Sequence, residues 1–400
     1  MKSKFGLAVG LLVCASQIFA LDAKARVVMT GNLAEATKEK NEDAKYEFFK
    51  LNEKPQKDDD GIVIDFNGGN FGGRLGLWYD LNKQSADKGT SVSFRRSNLW
   101  IKPMDSLKIT AGYVGNDQLY KERIDDWKVG NPFNLNERDW SKHPGYVNPA
   151  DVDEMGFGLE IRPVSPLIIT AAVARRWGTP GTYGKPFWDY DGDESSYDAW
   201  GVSGRYYWRD GICFQAAYRD NGKEQWKVAR AAVGLERDNI YAFFQPCFGI
   251  DYKSADDKYE LSGICFDLYG EYKFDNFKFI AHAPVTLRLT DDSENDPSYM
   301  EYVVQVLYNT GKHGNMDELS PYIKIGSLNH DGDNKYAFYR FNKDFSDSVN
   351  FDIAPGVKFS VGACEIDVAF ELLLHSKLYT EANYRNDFEW RIPFTAEIKF

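Results

Sequence analysis

The carboxylates most suited to chemistry in this chain are Glu365, Asp367 and Glu371. In a strand their spacing puts all three on one face, where paired carboxylates can divide acid and base roles. On a polar face the same spacing serves solvation, and that is the preferred reading. His282 and His375 are the candidate general bases. Each stands alone in sequence, with no nucleophile or orienting partner at a readable spacing. Asp189, Asp191, Asp193 and Glu194 surround Gly192 and offer alternate oxygen ligands suited to calcium. No bidentate Glu follows at the EF-hand position, which favours a solvated acidic loop. Tyr183, Phe187, Trp188 and Tyr190 nearby have the chemistry to stack on sugar rings or to sit at a membrane interface. Cys213, Cys247, Cys265 and Cys364 match no compact disulfide framework and no metal spacing, and read as four unpaired thiols in strands. No glycine-rich phosphate loop, nucleophile elbow or zinc pattern occurs. The residues therefore point away from an enzyme and imply no cofactor and no metal.

The elements that must hold these side chains are strands. At the C-terminus Phe388, Trp390, Ile392, Phe394, Ala396, Ile398 and Phe400 alternate with Glu389, Arg391, Pro393, Thr395, Glu397 and Lys399. Alternation gives one apolar and one polar face. Thirteen residues are long for a soluble sandwich strand and long enough to cross a bilayer at a tilt. The same pattern runs through 349–361, 277–289, 264–274, 155–161 and 107–113. Pro355 and Pro393 fall inside two of these strands and predict a bulge or a missing ladder bond at each.

Read backwards from Phe400, the chain gives eighteen predicted strands, or sixteen if the first two, near 24–32 and 61–68, are dropped. Their connections alternate between two classes. One is short and rich in Gly, Pro, Asn and Asp: 69–70, 103–105, 164–166, 210, 275–276 and 362. The other is mostly long and includes 116–154, 178–198 and 329–348. Short turns on one rim and long loops on the other are the arrangement of an up-and-down barrel in an outer membrane. Residues 33–60 belong by parity to the first outer loop and have the composition for a short helical turn. Residues 336–341 could form an extra hairpin arm in their loop. The 116–154 loop, with Tyr120, Trp127, Phe133 and Trp140, is expected either to constrict the lumen or to cap it.

On such a barrel the polar face lines the interior. In its first half that face is basic, with Arg74, Lys108, Arg162, Arg176, Arg205, Arg219, Lys227 and Arg230. In its last strands it is more acidic, with Asp352, Glu365, Asp367, Glu371, Glu389 and Glu397, interrupted by Lys358, Arg391 and Lys399. Opposed walls of this kind would set up a transverse field favouring polar solutes. The plainer reading is a solvated polar interior.

Composition agrees. Mean hydropathy is −0.49, and beyond the N-terminus no apolar run could form a transmembrane helix. A barrel is compatible with that value because only every second strand residue faces lipid. The net charge of −12 argues against nucleic acid as a partner. Residues 1–20 read as a secretory leader: Lys2 and Lys4, an apolar stretch over 5–15, and a cleavage point at Ala20. Cys14 as a lipoprotein cysteine is disfavoured, because Val13 precedes it where a small residue is needed. Residues 21–400 then form a single domain.

The motifs 48–52 (Phe-Phe-Lys-Leu-Asn), Asp60-Gly61, 99–105 (Leu-Trp-Ile-Lys-Pro-Met-Asp), 107–110 (Leu-Lys-Ile-Thr) and 119–125 resemble large outer-membrane barrel proteins of spirochaetes, particularly treponemes. The resemblance covers about the first third of the chain. It implies a barrel in the outer membrane, with the Trp100 motif running into a periplasmic turn. It implies little about activity.

Together these readings predict an all-β, antiparallel barrel of sixteen to eighteen strands, acting as a passive channel for small hydrophilic solutes. Outer-membrane lipid and the barrel-assembly machinery would be its partners, with Trp390, Phe394 and Phe400 forming the assembly signal. A homo-oligomer is compatible with this, although no subunit patch is legible. The competing readings are a surface barrel whose loops bind a host or partner molecule, and a soluble periplasmic β-rich protein.

Overall fold

The computed structural model describes residues 20–37, 44–51, 61–79, 92–94, 97–114, 154–176, 197–220, 227–253, 256–289, 298–300, 302–326, 339–340, 351–375, 377 and 388–399. They form 23 strand segments in one antiparallel sheet. Strand β1 (Ala20–Thr37) begins at the last residue of the expected leader. Its return comes in two pieces, β2 (Lys45–Leu51) and β3 (Gly61–Asn67), which pair with its later and earlier halves. Then β4 (Phe71–Tyr79) pairs with β5 (Val92–Phe94) and β6 (Asn98–Met104), placed end to end. Next come β7 (Leu107–Val114), β8 (Glu154–Val164), β9 (Leu167–Arg176), β10 (Tyr197–Tyr207), β11 (Ile212–Asp220) and β12 (Lys227–Arg237). A tall hairpin follows, β13 (Ile240–Lys253) with β14 (Lys258–Phe274). After β15 (Phe277–Arg288), β16 (Tyr299–Met300) and β17 (Val303–Tyr308) share one stave. So do β18 (Glu318–Gly326) and β19 (Tyr339–Arg340). The sheet ends with β20 (Phe351–Val361), the collinear β21 (Cys364–Ala369) and β22 (Glu371–Leu374), and β23 (Phe388–Lys399).

Five of the 23 segments thus continue a stave begun by another, leaving eighteen staves. The wall is closed, because β23 pairs with β1 from Arg26↔Lys399 to Ala36↔Trp390. The predicted architecture holds, at its upper strand count. Two expectations are corrected. Residues 33–60 are not simply an outer loop: 33–37 and 45–51 form a hairpin in the wall, because Ala34, Glu35 and Ala36 find ladder partners in Phe48, Glu47 and Tyr46. Tyr339 and Arg340 do not build a separate arm; they pair with Met300 and Tyr299 and prolong the β18 stave.

Short turns gather at one rim. Gly69, Asp210, Gly211, Asp275 and Gly362 there adopt positive φ, which Gly tolerates and Asp accepts through local hydrogen bonding. Both prolines behave as proline chemistry requires. Opposite Pro393 the ladder slips between Asn32 and Ala34, a bulge on β1. Pro355 accepts from the Phe370 N–H at 2.9 Å but has no N–H to return, and the strand breaks into β21 and β22 at Phe370.

A closed single sheet can bury only its inner face. On β11 Cys213, Gln215, Ala217 and Arg219 are buried, while Phe214 and Ala216 between them are exposed. Apolar packing exists inside as well. Phe243 stacks on Tyr269 at 5.3 Å, and Tyr241 meets the same ring edge-on at 5.8 Å. This inner cluster includes Ile280, Val303, Leu307 and Tyr322.

Candidate functional site: the inner wall

Register converts alternation into geometry. Asp267 on β14 lies between Gln245 on β13 and Pro284 on β15. It accepts from Gln245 Nε2 at 2.7 Å and meets His282 Nε2 at 2.5 Å. Tyr269 crosses the His282 ring at 5.7 Å. Below it, Glu271 lies 3.5 Å from Lys278 and 3.7 Å from Lys273. His375 likewise sits 3.3 Å from Glu389. The reading of both histidines as solitary is therefore corrected: each has a carboxylate partner on a neighbouring stave. The sequence separations are 15 and 14 residues, which only a known register can translate into contact.

In the acidic wall Glu365, Asp367, Glu371 and Glu389 each have a partner. In register across four staves stand Lys324, Ala354, Glu371 and Arg391, followed by Glu35 on β1. Arg391 Nε donates to Glu371 Oε2, with Asp352 and Glu35 also close to the guanidinium. Tyr322 donates to Asp367 Oδ1 at 2.8 Å, and Lys358 lies 3.4 Å from Glu365. Tyr322 occupies the space over Gly356, where an added Cβ would fall 2.3 Å from its ring. Two of the cations that interrupt the acidic pattern in sequence, Lys358 and Arg391, are thus its partners. Asp352 and Glu371 are 0% exposed and Asp367 and Glu389 nearly so, while Glu365 is half-buried.

Of the basic residues, Arg205, Arg219 and Arg230 lie on the inner face of three adjacent staves and are buried. Arg230 donates to Gln215 Oε1 at 3.0 Å. Arg162, near the short-turn rim, is exposed and donates to Glu160 at 2.8 Å. Arg176 ends β9 opposite Tyr197. About eight staves separate β10–β12 from β20–β23, close to half the circumference. The inner face between β3 and β8 is more open. Arg74 holds Asp65 at 2.7 Å, and Trp100 has the ammoniums of Lys102 and Lys108 at 5.1 and 5.5 Å from its ring centre. Sequence reasoning does not assemble this group: alternation puts Trp100 and Lys102 on one face, but the place of Lys108 beside them depends on the register of β6 with β7.

At the closing strand, Trp390 stacks on Phe370 at 6.0 Å, and Phe394 pairs with Val368 and Gly31 on the outer face. Phe400, residues 1–19, the acidic loop at 189–194 and 115–153 lie outside the described residues. Among the described residues no cluster of three or more His, Cys, Asp or Glu could hold a metal ion.

The fold is that of outer-membrane porins. The chain resembles OccK2 (OpdF) of Pseudomonas aeruginosa with TM-score 0.52 and 8% identity, over 95% of this chain and 97% of that one. It resembles the same protein in complex with glucuronate at 0.51 and 8%, over 95% and 98%. A BenF-like porin from Pseudomonas fluorescens Pf-5 aligns at 0.51 and 9%, over 96% and 98%. No family model and no curated protein matches the sequence. The likeness is one of fold.

Proposed function

We propose that this protein is an outer-membrane channel for passive diffusion of small hydrophilic solutes. One observation carries the proposal: a closed wall of eighteen staves, apolar outside and charged inside. Phe157, Val202, Leu268, Val304 and Ile323 are exposed on the outer face of staves around the wall. In water each would cost about 25 cal/mol per Å² of exposed apolar surface; against lipid that cost vanishes. A wall of this size is wide enough to enclose an aqueous path. We place the path along β3–β8, where Arg74, Lys102 and Arg162 are exposed and Trp100 and Lys108 half-exposed. Arg205, Arg219 and Arg230 flank it, and the acids Asp352, Glu365, Asp367, Glu371 and Glu389, all of them buried or half-buried, support the far side.

The likeness of 99–105 to spirochaetal barrel proteins belongs to the same reading, with Trp100 near the periplasmic mouth. Outer-membrane lipid is the partner of the outer face. The barrel-assembly machinery is the partner of the C-terminal segment, with Trp390 and Phe394 on β23 and the following Phe400 as its signal. OccK2 has been solved with glucuronate, so a small sugar acid is the first solute to try. A second reading, a surface-binding barrel with a closed lumen, draws support from the burial of the inner side chains over β17–β23. Swelling of proteoliposomes in isotonic sugars and glucuronate separates the two. Faster swelling than empty liposomes supports the channel, whereas none, with folded protein, favours the surface-binding reading.

A further inference from the structure

Cys247 and Cys265 face one another across β13 and β14, and both are buried on the inner face. The Lys273 N–H donates to the Asn239 carbonyl at 2.8 Å, which sets the phase of this ladder. Hydrogen-bonded pairs recur at every second step from there, and Cys247 with Cys265 is one of them. In such a pair the α-carbons lie about 5.5 Å apart, within the roughly 4.4–6.8 Å that a disulfide spans. Only the β-carbons must draw together, by about 1–2 Å. The backbone next to them can yield. The following inner pair is Gly249 with Gly263, and the register slips between Gly249 and Ile250, leaving Ser262 outside the pairing. Cys213 and Cys364 have no such option: Cys213 is opposed by Tyr207 and Gly234, and Cys364 by Val361 and Ile398.

We propose that the mature protein carries a disulfide between Cys247 and Cys265, which pins the hairpin where it rises toward the outer rim. The bond would close residues 248–264, including the connection at 254–257, into a covalent loop. Arg230 stands opposite Cys247 on β12. The Cys247 thiolate attacks a disulfide carrier of the export compartment and forms a mixed disulfide. The Cys265 thiolate then attacks Cys247 Sγ and expels the second carrier sulfur. Two protein thiols become one S–S bond, and the carrier disulfide becomes two thiols. The oxidant, though not the geometry, rests on the reading of the chain as exported.

The test is peptide mapping of envelope-derived protein whose free thiols were blocked by iodoacetamide in denaturant, without reductant. The expected result is a linked peptide pair containing Cys247 and Cys265, with Cys213 and Cys364 fully alkylated. Alkylation at all four positions, or a link involving Cys213 or Cys364, overturns the proposal. A parallel sample, refolded in reduced and oxidised glutathione, locates the fault. A link formed there but not in the cell indicts the compartment; no link in either indicts the geometry. Reduction should also increase proteolysis near 254–257 in wild type and leave Cys247→Ser unchanged. Identical proteolysis of reduced and oxidised wild type overturns the pinning role.

Discussion

Replacing Arg391 by Met tests whether the inner wall is an ion-paired structure or an incidental polar lining. Met keeps most of the volume and removes the charge. Glu371 then loses the donor to its Oε2 while remaining 0% exposed, with Asp352 beside it equally buried. Stranding one member of a buried pair costs about 3–5 kcal/mol. Glu371→Met should cost less, about 1–3 kcal/mol, because Arg391 retains Asp352 and Glu35 as neighbours and its side chain is 20% exposed. The double Met variant removes both charges and should lie within about 2 kcal/mol of wild type. The assay is a reversible urea titration in lipid vesicles, read by tryptophan fluorescence and heat-modifiable migration. Strict additivity of the two substitutions, or a loss below about 1 kcal/mol for Arg391→Met, would refute the reasoning.

Leu268 is 55% exposed on the outer face of β14, so Leu268→Arg should cost about 2–4 kcal/mol in the same titration, and Leu268→Phe almost nothing. Equal behaviour of the two would mean that this face does not meet lipid. Gly356→Val should be strongly unfavourable, by about 1–3 kcal/mol, because Tyr322 occupies the space over Gly356; Tyr322→Ala in the same chain should relieve the clash, and no relief would contradict the packing. Deleting 390–400 removes the strand that joins β1 to β21 and β22, and should abolish membrane assembly. Normal heat-modifiable migration of the truncated chain would exclude β23 as the closing element.

The wall was legible in the sequence because alternation reports faces directly. The two classes of connection reported rims, and the proline positions reported where the ladder breaks. Register was not legible, since it depends on the residue count of every turn and on bulges such as those at Leu33 and Ser262. That is why His282 and His375 looked solitary, and why Cys247 and Cys265 looked unrelated. The hairpin of β1 with β2 was hidden for another reason. Its second strand, Lys-Tyr-Glu-Phe-Phe-Lys-Leu, alternates only at its start, and Phe49 adopts φ 54 where the alternation fails. Burial of the inner charges was also unreadable, because alternation assigns a side chain to a face without saying how open that face is.

The central claim is an open path through the barrel, and a planar-bilayer recording tests it most directly. Purified, folded protein should give discrete, ohmic conductance steps. In a salt gradient, neutralising Lys102, Lys108 and Arg162 together should shift the reversal potential toward cations. Neutralising the paired acids Glu371 and Asp367 should shift it less. Folded protein that inserts and yet gives no conductance steps would contradict the account.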